Sequence, residues 1–138
     1  MKSIPFPCLP LLAFMAFTGW VQHSPDYTET LTGVYTMTYM NWNGDIARMP
    51  EPGFSGSVRM TKRDNTHLDM TFSIKAHGNG KTIDETSDPQ TVELRPGHGM
   101  SFFLYENRVK LGTISPKAIS IKTVTETGAG VVEIKAWR

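Results

Sequence analysis

Four things are scarce in this sequence, and each scarcity closes a class of function. Cysteine occurs once in 138 residues, which excludes a disulfide framework and a multi-cysteine zinc site. Neither sign of charge is in excess, with 14 Lys and Arg against 13 Asp and Glu. There is thus no basic stripe of the kind that tracks a phosphate backbone, and nucleic acid is not an expected partner. The histidines, His23, His67, His77 and His98, fall in no His-x-His or His-x-x-x-His spacing, so no metal site is expected. No apolar run reaches the about 20 residues that a membrane-spanning helix takes.

Catalytic motifs are missing as well. Gly78-Asn79-Gly80-Lys81-Thr82 ends like a phosphate-binding loop, but Lys75 stands where the first glycine is required and no helix follows, so it reads as a hairpin turn. Ser101 follows Gly97-His98-Gly99-Met100 without the Gly-x-Ser-x-Gly elbow of a serine hydrolase. Asp84, Glu85 and Asp88 lack calcium-loop spacing and read as a solvated loop. No paired carboxylates occupy the apolar strand faces. The chain is therefore expected to be no enzyme, with no catalytic residue and no cofactor. A carboxylate leaning from a loop into a barrel mouth is the one enzymatic arrangement left open.

What is present begins with an export signal. Met1, Lys2 and Ser3 form a short basic n-region, and residues 11–17 are an unbroken apolar h-region too short to cross a bilayer. Residues 16–20 resemble a bacterial lipoprotein signal, but Trp20 occupies the place of the lipid-bearing cysteine. The thioether needs a sulfur, so lipid anchoring at Trp20 is chemically blocked, and membrane anchoring is in doubt. The expected organisation is a signal over residues 1–20, an N-terminal segment with a short helical turn over 21–33, and a β-barrel domain over 34–138. The helical turn is read from Ser24 as cap, Pro25 at the first position and Asp26 beside the dipole. The product is expected in the periplasm, the cell envelope or outside the cell.

From Gly33 onward the period is two. Leu68, Met70, Phe72, Ile74 and Ala76 alternate with Asp69, Thr71, Ser73 and Lys75, and Tyr35, Met37 and Tyr39 alternate with Val34, Thr36 and Thr38. Further runs cover 54–61, 91–95, 101–105, 109–114, 118–124 and 131–137, separated by Asn, Gly, Pro and Ser turn residues. The expected fold is all-β, with eight antiparallel strands, or nine if 81–86 forms its own. An up-and-down barrel removes the exposed edges. A two-sheet sandwich also fits the alternation, although the connections are short for Greek-key crossovers. In the meander the two longest connections, 43–53 and 78–90, lie at one end, giving an adjustable mouth over a closed base.

At this point the chain resembles the lipocalin and calycin group, especially its short bacterial cell-envelope members. Gly33-Val34-Tyr35 looks like the Gly-x-Trp opening of the first lipocalin strand, with Tyr in place of Trp, and Arg138 ends the last strand. The resemblance implies that Gly33, Tyr35 and Arg138 close the barrel base, with the basic side chain over the opening aromatic ring. Such a cation–π contact is worth about 0.5 to 2 kcal/mol.

The inward face expected from this parity is apolar apart from two phenols. Tyr35, Met37, Tyr39, Trp42, Met60, Met70, Phe72 and Phe102 are the candidate ligand-binding residues, since methionine and aromatic walls adapt to a hydrophobic guest and a phenol can meet its polar end. Trp42, Ile46 and Met49 in the first long connection form a candidate lid or protein-facing patch. Two readings stand. One is a monomeric exported protein that holds a small apolar or amphipathic ligand in the barrel. In the other the interior is filled and the mouth loops bind another envelope protein, as an interaction or inhibitor module.

Overall fold

The computed structural model describes residues 25–124, 128 and 130–138. The export signal, Trp20 and Ser24 lie outside them. Ten strands follow one another: β1 (Gly33–Trp42), β2 (Asp45–Arg48), β3 (Phe54–Asp64), β4 (His67–Gly78), β5 (Lys81–Thr86), β6 (Gln90–Pro96), β7 (Phe102–Glu106), β8 (Val109–Ile114), β9 (Ala118–Val124) and β10 (Val131–Trp137). Eight of them form a closed antiparallel ring in the order β1, β3, β4, β6, β7, β8, β9, β10, and β10 returns to β1. The wall is the expected up-and-down meander.

Two strands lie outside the ring, both at the mouth. β2 pairs with β1 through Tyr39 to Trp42, where β3 no longer reaches, and β5 pairs with β4 from Ser73 to Gly78, above the stretch covered by β6. The ninth strand at 81–86 is therefore present, and β2 adds a tenth within the connection read as loop. Asn43 and Gly44, both with positive φ, form the tight reversal that allows the β1–β2 hairpin.

No helix occurs among the described residues, which corrects the expected helical turn before the first strand. The Leu31 amide donates to the Thr28 carbonyl at 3.0 Å, closing a single turn that does not propagate. Asp26 instead organises this segment. Its carboxylate accepts from the Thr28 amide and hydroxyl at 2.9 and 2.6 Å and from Lys62 at 2.7 Å. An aspartate that bonds its own downstream backbone in this way competes with helix formation.

The core is the inside of the ring. Tyr35, Met37, Val58, Met60, Leu68, Met70, Val92, Leu94, Leu104, Ile119, Ile121 and Ile134 are all buried, as their alternation requires. Leu31 also enters it, inserted from the turn beneath the base, and Leu111 and Ile114 of β8, Ala136 of β10 and Met49 join it.

Candidate functional site

The base is sealed from both sides by Tyr35 and Arg138. Tyr35 is fully buried, and its hydroxyl lies 3.0 Å from the Leu31 carbonyl and 3.1 Å from the Ser115 carbonyl. Burial pushes the phenol pKa up, with the nearby Arg138 charge opposing that rise. The Arg138 guanidinium carbon sits 5.0 Å from the Tyr35 ring centroid. Its Nε donates to the Pro116 carbonyl at 2.9 Å, one terminal nitrogen to Thr30 at 2.7 Å and the other to Thr32. A planar fork with several donors suits this task better than a lysine ammonium.

Gly33 makes room for the clamp. Its φ is +132°, and a Cβ there would come within 2.8 Å of an Arg138 nitrogen. Both the backbone conformation and the space exclude a larger residue. Tyr27 adds a second closure, its amide donating to the Asn65 carbonyl at 2.8 Å and its ring lying 5.1 Å from that of Phe102.

The candidate ligand residues separate by depth. Tyr35, Met60 and Met70 are buried at the base, and the Tyr35 hydroxyl is committed to backbone carbonyls, so it is not offered to a guest. Phe102 begins β7 at the base against Tyr27, which removes it from the mouth. Met37 is buried in the middle of the barrel, its thioether filling the space above Gly56. Phe72 is half-buried and faces inward beside Val58, at the level where β4 exchanges β6 for β5 as neighbour.

Tyr39 is on the other side of the wall. The register of β1 on β10 shifts between Met37 and Tyr39, so Met37 opposes Ala136 but Met40 opposes Ile134. One extra residue reverses the alternation beyond it. Met40 takes the inward place expected of Tyr39. Tyr39 faces outward, with the Lys135 ammonium 5.2 Å from its ring centroid.

The lid residues also separate. Trp42 shares the inward parity of Met40 and stands at the rim opposite Val132, 51% exposed. Ile46 opposes the outward Asn41 and is 58% exposed. Met49 is buried rather than presented, because its amide donates to the Thr38 carbonyl and draws the loop against the barrel. The sequence reading missed Met40, for which only the bulge could have given notice. Phe54 and Val132, at the mouth ends of β3 and β10, were not among the candidate ligand residues either. All three are partly buried and pack on the core.

The mouth end of the barrel is thus lined by Met40, Phe54, Phe72 and Val132, which pack, partly buried, above the fully buried base. A cavity of ≈ 270 Å³ opens beside it, where Phe54 and Ala76 meet Glu51, Lys75, His77 and Thr82. A second cleft of ≈ 540 Å³ lies at the outer seam, lined by Asn41, Asn43, Lys122, Val131 and Glu133. Among the described residues no cluster of His, Cys, Asp or Glu is arranged to hold a metal ion.

These features define the class of protein as a closed, eight-stranded antiparallel β-barrel with two accessory strands. No family model and no curated relative matches the chain. The chain is similar to a de novo designed fluorescence-activating β-barrel, with a TM-score of 0.47 and 14% identity, over 83% of this chain and 99% of the other. The barrel assignment rests on the strand pairing itself.

Proposed function

We propose that this is an exported, lipocalin-like binding protein that takes a small apolar or amphipathic molecule, non-covalently, into the mouth of the barrel. The carrying observation is the gradient of burial along the inward face. Tyr35, Met60 and Leu68 are buried at the base, whereas Met40, Phe54, Phe72 and Val132 are only partly covered at the mouth. Inward apolar side chains left partly in water gain by burial against a guest, at roughly 25 cal/mol per Å² of apolar surface. Because the lower barrel is filled, the guest sits shallow, with its polar end at the rim.

Native mass spectrometry of the protein purified from an exporting host, followed by organic extraction, tests this reading. A co-purifying apolar molecule, or a thermal shift with fatty acids, retinoids or haem-like compounds, supports it. A Phe72→Asp variant is expected to lose that shift while keeping its fold. No co-purifying molecule together with no shift across the panel would count against it.

A second reading is favoured by one specific observation. Ile46 is 58% exposed on the outer face of the β1–β2 hairpin and Trp42 is 51% exposed on its inner face at the rim, so each face of the hairpin presents an apolar group that suits contact with another envelope protein. In that case Ile46→Lys weakens capture of the partner and leaves any thermal shift with apolar compounds unchanged.

A further inference from the structure

β5 carries an open edge that is complementary to itself. Its six residues, Lys-Thr-Ile-Asp-Glu-Thr, pair with β4 on one side only, and every one of them is exposed. The strand is well anchored on its paired side. Thr82 Oγ1 lies 2.8 Å from His77 Nδ1, Thr86 Oγ1 lies 3.1 Å from Ser73 Oγ, and the Ser87 amide donates to the Phe72 carbonyl at 2.8 Å.

The hydrogen-bonding phase of this edge follows from the hairpin. Asn79 and Gly80 both have positive φ, giving a two-residue turn whose flanking residues, Gly78 and Lys81, form a hydrogen-bonded pair. Bonded and non-bonded pairs then alternate. Lys81, Ile83 and Glu85 therefore turn their backbone groups toward β4, and Thr82, Asp84 and Thr86 turn theirs to the open edge. The β4 side agrees, because the His77 amide, opposite Thr82, points away from β5 to the Gly53 carbonyl at 2.7 Å.

We infer that β5 is a self-association site, pairing antiparallel with β5 of a second copy of this chain about a two-fold axis at Ile83. In that register Thr82 and Asp84 of one copy exchange backbone hydrogen bonds with Asp84 and Thr82 of the other. The two Ile83 side chains, each 52% exposed in the single chain, meet across the axis. Lys81 of each copy faces Glu85 of its mate, twice over. Charges on an edge strand ordinarily repel other strands. Here their order, basic at one end and acidic at the other, repels a parallel or shifted copy and accepts this one. Moving the register by two residues toward the Thr86 end sets Asp84 against Asp84. The closed wall leads to the expectation of a monomer, but β5 stands outside that closure. A contact of one short strand is small, so the dimer is weak and transient. The inference is independent of what the mouth binds.

Sedimentation equilibrium of the full chain up to about millimolar concentration tests it. Self-association in the high micromolar range is expected, weakened by added salt. Lys81→Glu and Glu85→Lys, each alone, place like charges opposite one another at both ends and are expected to weaken association about tenfold. An equimolar mixture of these two variants restores opposite charges and is expected to recover a mixed dimer. Asp84→Pro removes a donor from the open edge but none from the β4 side, and is expected to abolish the dimer with an unchanged circular dichroism spectrum. A chain that stays monomeric throughout, single reversals without effect, or a mixture that fails to recover overturns the assignment.

Discussion

The Arg138 guanidinium lies over the Tyr35 ring while the Tyr35 hydroxyl bonds the Leu31 and Ser115 carbonyls beneath it. Outer plug and inner plug are thus one assembly, joined through a single ring. Tyr35→Phe is expected to cost about 1 to 2 kcal/mol, since it deprives buried carbonyls of their donor. Arg138→Lys keeps the charge but loses the fork, and should also destabilise. Urea unfolding followed by tryptophan fluorescence measures both, and equal stability of either variant with the parent would show that the base closes by other means.

Gly33→Ala is expected to destabilise by about 1 to 3 kcal/mol, because the residue sits at φ +132° and its new methyl meets the Arg138 side chain. In the Arg138→Ala background the steric part disappears and only the backbone part remains. A double-mutant cycle separates the two, with a smaller cost in that background as the expected sign.

Alkali and acid act on different ends of the pH scale. The Tyr35 phenol is raised in the folded state, so the fold favours the protonated form. Its contribution is complete below the ordinary tyrosine value, near pH 10, and is lost as pH rises toward the folded pKa. Asp26 is held down to about 2, chiefly by Lys62 and then by Thr28, so its contribution is present above about pH 4 and falls away as pH drops toward 2. Thermal melts should show an alkaline limb absent from Tyr35→Phe and an acid limb reduced in Asp26→Asn.

Opposite sides of the wall give a sharp contrast at neighbouring positions. Met40→Asp is expected to abolish binding of an apolar probe at the mouth, and Tyr39→Ala to leave it within about twofold, since only Met40 faces inward. Titration of an environment-sensitive fluorophore distinguishes them. The reverse ranking would put the guest on the outer surface.

Most of the barrel was legible wherever alternation ran unbroken. Leu68 and Met70 proved buried and inward because β4 keeps strict period two, and the meander followed from short turns between such strands. β2 was missed because its four residues, Asp-Ile-Ala-Arg, are too few to show a period, although Asn43-Gly44 is a strong hairpin signal. Tyr39 was misplaced because nothing in Thr36-Met37-Thr38-Tyr39 distinguishes a bulge from a continued strand. Met49 and Leu31 were hidden for a different reason: each is buried by a turn whose path is set by tertiary hydrogen bonds. For the candidate site this means that the inward parity was legible where alternation ran unbroken, while the membership of its rim depended on a one-residue shift.

That shift gives β1 two phases on one backbone. Below it, Tyr35 and Met37 answer to the packing of the base; above it, Met40 and Trp42 answer to the mouth. A substitution on either side leaves the phase of the other untouched. Removal of Thr38 would make the ladder continuous, with Tyr39 following Met37 directly opposite Lys135, and would leave Met40 and Trp42 inside. A codon deleted just above the bulge, at Met40, would instead bring Asn41 inside and turn Trp42 out, which no point substitution can do.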